Sequence, residues 1–145
     1  MKESKILYLF GSKSDLGYFE KMEKFIKGAE IDYEVKVMSA HRNTEELIEF
    51  LKEEGPNYGT IISVAGFSAA LPGVVASVAE VPVFGVPISS SPLVTDALYS
   101  MIQMPKGVSL SVCSYDKTGL INATLCSLRI VQKDKYTIFK KEVLG

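Results

Sequence analysis

The sequence predicts an α/β fold, a three-layer doubly wound parallel sheet in a single domain. Three observations carry the prediction. Five short β-type runs alternate with stretches of helical length, central runs look apolar on both faces, and glycine and hydroxyl residues gather just after the runs. Strands apolar on both faces belong in a parallel sheet covered by helices on either side. Such sheets bind ligands outside the carboxyl ends of their strands, so the residues that follow each run are the informative ones.

The first strand, Ile6–Phe10, leads into Gly11-Ser12-Lys13-Ser14-Asp15. The glycine permits a tight turn, backbone amides at a helix start can receive a phosphate, and Ser12 and Ser14 add hydroxyl donors. Asp15 suits either hydrogen bonds to ribose hydroxyls or a plain helix N-cap. The loop is neither a Walker A motif nor GxGxxG, which leaves ATP and dinucleotides with little support. A helix then begins near Leu16, with Phe19, Met22, Ile26 and Ala29 on one stripe.

The second strand, Tyr33–Met38, ends in Ser39-Ala40-His41-Arg42, which holds the only histidine of the chain. A proton-transfer side chain beside a fixed cation at a strand end suits chemistry on a small anionic ligand; the competing reading is a surface turn that only meets solvent. Asn43 is placed to cap the next helix, with Glu46 three positions on as in a capping box and Leu47, Ile48 and Leu51 as its apolar face. The third strand, Thr60–Val64, opens into Ala65-Gly66-Phe67-Ser68-Ala69-Ala70-Leu71-Pro72-Gly73. Small residues there admit a planar ligand close to the backbone, and equally serve helix–sheet packing. The fourth strand, Val83–Val86, is followed by the hydroxyl-rich Pro87-Ile88-Ser89-Ser90-Ser91-Pro92, which also reads as an ordinary loop. Gln103-Met104-Pro105 begins a turn before the last strand, Ser109–Val112, and Asn122 beyond it either caps or faces the site. The segment Lys133–Gly145 reads as a short amphipathic helix packed on its own domain or on a neighbouring subunit.

Composition narrows the classes further. The 145 residues carry a net charge of −1 with acids and bases interspersed, so there is no basic stripe for nucleic acid and no block to grip a membrane. No apolar run approaches the ~20 residues of a membrane span, and the first residues do not read as a signal peptide; a cytoplasmic location is expected. Cys113 and Cys126 are too far apart for a CxxC motif and, with one histidine, form no obvious zinc site. Both are read as reduced, buried thiols, and no metal is expected.

Taken together, Gly-Ser-Lys-Ser-Asp at 11–15, Ser-Ala-His-Arg at 39–42, the small-residue frame at 65–73, Gly-Val-Pro at 85–87, Gln-Met-Pro at 103–105 and Asn-Ala at 122–123 resemble the PurE family of purine biosynthesis. The resemblance implies a flavodoxin-like catalytic domain over 1–132, with 133–145 as a tail. The family has two activities on one fold: a mutase that moves a carboxylate from the N5 nitrogen of carboxyaminoimidazole ribonucleotide to C4, and a carboxylase that adds carbon dioxide directly to aminoimidazole ribonucleotide. Ala70 stands where mutases usually carry a second histidine, Ser68 matches the carboxylase loop, and the run Ser14–Met22 resembles the carboxylase form. Arg42, Pro72, Gly85-Val86-Pro87 and Gln103-Met104-Pro105 resemble the mutase instead. The expectation is a direct carboxylase, interconverting aminoimidazole ribonucleotide plus carbon dioxide and the 4-carboxy ribonucleotide. The mutase and a non-catalytic ribonucleotide-binding paralogue are the alternatives.

By the same resemblance His41 is the catalytic acid–base residue, needing no cofactor and neither ATP nor biotin. Ser12, Asp15 and Arg42 bind the ribonucleotide through phosphate and ribose, while Ser39, Ala65, Gly66, Ser68 and Leu71 line the base and carboxylate pocket. A homo-oligomer, an octamer in the family, is implied, with Gln103-Met104-Pro105 approaching a neighbour's site.

Overall fold

The computed structural model describes residues 5–67, 69–89 and 94–145. Strand β1 (Ile6–Phe10) lies between β2 (Tyr33–Val37) and β3 (Thr60–Ala65), and β4 (Val83–Pro87) and β5 (Ser111–Val112) extend the sheet beyond β3. All four pairings are parallel, in the order β2-β1-β3-β4-β5. This is the doubly wound, flavodoxin-like arrangement expected from the sequence.

The pleat divides the core between two faces. Ile6, Tyr8 and Phe10 meet Phe19, Met22 and Ile26 of α1 (Leu16–Gly28), Leu120 and Ala123 of α5 (Asp116–Ile130), and Phe139 of α6 (Lys133–Leu144). Leu7 and Leu9 point the other way, toward Leu47 and Leu51 of α2 (Thr44–Glu53), Leu71 and Val75 of α3 (Ala70–Val78), and Met101 of α4 (Val94–Ile102). Buried hydroxyl pairs stitch α5 to the sheet: Tyr8 Oη lies 2.7 Å from Thr124 Oγ1, and Thr60 Oγ1 donates to Ser127 Oγ at 2.9 Å. Gly119 sits so close to the preceding loop that an added Cβ would fall 2.6 Å from the Ser114 carbonyl oxygen, which excludes a side chain there.

Several local expectations need correction. Met38 falls beyond β2, although its N–H still donates to Phe10 O at 2.9 Å, and β5, at the edge beside β4, is only two residues long, without Ser109 and Leu110. Asn43 occupies the N-cap position of α2 but makes no side-chain cap; its Oδ1 turns back to accept from Ser39 N at 3.3 Å. Asn122 neither caps nor enters the cleft, since its amide donates to the Cys113 carbonyl at 3.2 Å. The two cysteines are half-buried free thiols with sulfurs 3.6 Å apart, and burial, reinforced by the neighbouring thiol, pushes Cys113 up to about 11.

Helix α6 packs on α1 and α5 of its own chain and buries Phe139 completely. Its entry is held by Gln132, whose side chain donates to Asp32 O and accepts from Asp32 N at 2.9 and 3.0 Å. No helix among the described residues is long and apolar enough to cross a membrane.

One buried polar group stands apart. Among the described residues, Ser63 Oγ in the middle of β3 is the only fully buried side-chain oxygen or nitrogen without a hydrogen-bond partner. An unsatisfied hydroxyl retains its desolvation cost, so Ser63→Ala is expected to stabilise the fold by about 1 kcal/mol, a rise of a few degrees in Tm. A lower Tm in thermal melts would show that the hydroxyl is satisfied.

Candidate active site

The chain reverses its direction of winding between β1 and β3, and that switch point places the loops after β1, β2 and β3 side by side. Gly11 N donates to Val64 O at 3.1 Å and Met38 N to Phe10 O at 2.9 Å, fixing the roots of these loops to one another. The result is an open cleft of about 360 Å³. It brings together Ser12, Asp15, Ser39, His41, Arg42, Ala65, Gly66 and Leu71, eight of the nine residues singled out in the sequence. The ninth, Ser68, lies outside the described residues, as do Ser90, Ser91 and Pro92.

The first wall runs through a 3-10 turn, Lys13–Asp15, that precedes α1. Three of its amides are already engaged: Gly11 N as above, Ser14 N by Ser12 Oγ at 3.3 Å, and Asp15 N by Ser12 O at 3.1 Å. A phosphate at this wall would therefore meet hydroxyls more than an amide cradle; Ser12 and Ser14 Oγ stand 3.0 Å apart. Gly11 has no left-handed backbone, and an added Cβ would meet only ordinary contacts from 3.7 Å outward, so the tight-turn reading of this glycine gives way to plain smallness at the floor of the cleft.

Asp15 is buried at the N-cap position of α1 yet makes no side-chain cap. Its carboxylate accepts from Ser14 Oγ at 3.5 Å, a weak bond, and burial holds its carboxyl above the ordinary range against that bond's opposing pull. The folded state thus keeps a proton at pH values where the unfolded chain has lost it, and stability falls as pH rises from the ordinary carboxylate value through the raised one. Asp15→Asn is expected to raise Tm at neutral pH, with the gain vanishing below about pH 4, while ribonucleotide affinity falls. Melts at the two pH values check the sign; a lower Tm at pH 7 would contradict it.

The opposite wall is a turn closed on itself. Ser39 Oγ accepts from both His41 N and Arg42 N, at 3.3 and 3.1 Å, Asn43 N donates to Ser39 O at 3.0 Å, and Thr44 Oγ1 donates to Ala40 O at 2.6 Å. Ser39 and Asn43 hold the turn, which leaves the His41 and Arg42 side chains exposed at the rim. The third wall, Ala65-Gly66-Phe67 and Ala69-Ala70-Leu71, enters α3 through backbone in the left-handed region at Phe67 (φ 53°) and Ala69 (φ 42°).

Ser14, offered in the sequence only as an added hydroxyl donor, and Phe67 line the cleft although neither is among those nine residues. An aromatic interrupting a loop of small residues is the signal that points to Phe67. The hydroxyl-rich loop after β4 is anchored by a contact the sequence did not predict: Asp116 accepts from Ser89 N and Ser89 Oγ, both at 2.8 Å. Among the described residues no group of three or more His, Cys, Asp or Glu side chains comes together as a metal site.

A flavodoxin-like sheet with one histidine and one arginine over a hydroxyl-lined cleft defines a class of small-ligand α/β proteins. The sequence model of the AIR carboxylase family matches residues 5–142, and the chain belongs to that family, the PurE family. It is 39% identical over 132 residues to the N5-carboxyaminoimidazole ribonucleotide mutase of Haemophilus influenzae, covering 90% of this chain and 80% of the relative. Identity to the mutase of Pyrococcus abyssi is 40%, over 96% of this chain and 79% of the relative. The crystal structure of Treponema denticola PurE superposes with a TM-score of 0.78 at 27% identity, covering 96% of this chain and 89% of that one.

These relatives overturn the expectation of a direct carboxylase, with its lyase activity and its substrates aminoimidazole ribonucleotide and carbon dioxide. The physical reason is visible in the fold. Much of the carboxylase-like signal came from Ser14–Met22, but Phe19 and Met22 are core residues of α1 and Gly17 is exposed with nothing near it; none of the three lines the cleft. The Leu16–Met22 part of that similarity lies outside the cleft, although Ser14 and Ala70 line it. Arg42, a mutase-like residue, stands in the cleft itself.

Proposed function

We propose that the protein is an N5-carboxyaminoimidazole ribonucleotide mutase acting in purine biosynthesis. The observation that carries the reading is the identity of 39–40% to mutases over nine-tenths of the chain or more. The cleft supports it by gathering the residues such a reaction needs.

In this reading the N5–C bond breaks, carbon dioxide is released and stays in the site, and N5 takes a proton from His41, which His41 later regains from C4. Carbon C4 of the electron-rich aminoimidazole attacks it, forming the C–C bond and leaving C4 with both hydrogen and carboxylate. His41 removes the C4 proton, restoring the aromatic ring, and returns it in the reverse direction. Arg42 and the Ser12 hydroxyl hold the phosphate, and Asp15 takes the ribose hydroxyls. Ser39 both fixes the His41 turn and keeps its hydroxyl hydrogen to donate to the ligand. Ala65, Gly66 and Leu71 line the base and carboxylate pocket, a role the reading also assigns to Ser68 by resemblance. No cofactor enters this scheme, and a cytoplasmic location goes with it.

The test is turnover of the N5-carboxy ribonucleotide to the 4-carboxy isomer without ATP. Conversion is expected; tight binding without conversion would make the chain a non-catalytic paralogue.

Assembly into a homo-oligomer, an octamer by resemblance, belongs to the same reading. It is supported by Tyr99 and Ile102 of α4, each 53% exposed, and by a groove that Ile102 lines together with Met101, Met104 and Leu110. Light scattering at low micromolar concentration is expected to show a multimer; a fully active monomer would contradict it.

A further inference from the structure

Phe67 is the aromatic side chain at the mouth of the cleft, and it is 61% exposed. Its backbone is left-handed, with φ at 53°, a conformation that glycine adopts freely and a phenylalanine only under strain. The chain therefore bears two costs at one position, an apolar ring in water and a strained backbone, and glycine would remove both. Strain retained at the edge of a site is a reason to look for a role there. Apart from Leu71, which is buried, the other described residues of that wall are small, Ala65, Gly66, Ala69 and Ala70, so they offer a flat ligand little exposed apolar surface to rest against. His41 and Arg42 line the same cleft.

We propose that Phe67 is a specificity-determining side chain that packs on the face of the substrate's aminoimidazole ring and screens it from solvent. This rests on the ribonucleotide reading of the cleft. The ring supplies the large apolar surface that the alanines and glycine around it lack, and a planar heterocycle is the part of the ligand that can use it.

The test compares two ligands on two variants of the full chain. Phe67→Gly removes the ring and relieves the backbone, so its Tm should equal or exceed that of the wild type, and lost affinity cannot then be assigned to a damaged fold. In calorimetry the 4-carboxy ribonucleotide is expected to bind about 5- to 10-fold more weakly to Phe67→Gly, the size of a lost aromatic contact. Ribose 5-phosphate, which has no heterocycle, should bind wild type and variant alike, and Phe67→Tyr should restore most of the ribonucleotide affinity. Equal losses for both ligands, no loss for either, or a change in oligomer size in Phe67→Gly would overturn the proposal. So would a wild-type chain that binds no ribonucleotide. A wild type that binds the ribonucleotide but moves no carboxylate defeats the mutase reading alone, and the same comparison still decides Phe67.

Discussion

His41→Asn is expected to keep ribonucleotide binding and to lose turnover by about 10²–10⁴-fold, the usual cost of removing a positioned general acid–base group. Asparagine approximates the size of the imidazole and retains some hydrogen bonding, but it cannot take the C4 proton. The fold should tolerate the change, because His41 is exposed and the turn that carries it is held from elsewhere, by Ser39 Oγ, Asn43 and Thr44. Calorimetry with the 4-carboxy ribonucleotide and steady-state kinetics separate the two effects. Near-full activity would make His41 a surface residue and end the mechanism; equal loss of binding and turnover would make it a ligand contact without an acid–base role.

Phe139→Ala is expected to cost about 3–5 kcal/mol of stability, lowering Tm on the order of 10 °C. The ring is completely buried where α6 meets α1 and α5, in the same core layer as Met22, Ile26 and Leu128. Truncation removes its apolar burial and leaves a cavity that two helices of the main domain cannot fill. Chemical or thermal denaturation measures the loss. A cost under about 1 kcal/mol would mean that α6 does not dock there in solution.

The sheet was legible because β1, β3 and β4 are buried from end to end, so their apolar runs had no competing explanation. The cleft was legible for a related reason: in a doubly wound sheet the topology alone places residues after β1, β2 and β3 together. What stayed hidden depended on choices that residue type leaves open. An asparagine before a helix reads as a cap, and only the closed 39–43 turn shows Asn43 bonding Ser39 instead. The apolar side of α6 fits its own domain or a neighbour equally well until Gln132 is seen tying its start to Asp32. The choice between the two activities failed because similarity in α1, outside the cleft, was weighed as chemistry and because Ala70, inside it, was read as a lost histidine that counts against the mutase. The strained backbone at Phe67 had no sequence signature beyond an aromatic among small neighbours.

The source of the product's carboxylate tests the central claim most directly. N5-carboxyaminoimidazole ribonucleotide labelled with ¹³C in its N5 carboxylate is incubated with the protein in excess unlabelled bicarbonate, without ATP, and the 4-carboxy ribonucleotide is analysed by mass spectrometry. A mutase that holds carbon dioxide in the cleft between the two steps delivers the label to C4. Product carrying mainly unlabelled carboxylate drawn from the medium would contradict that account.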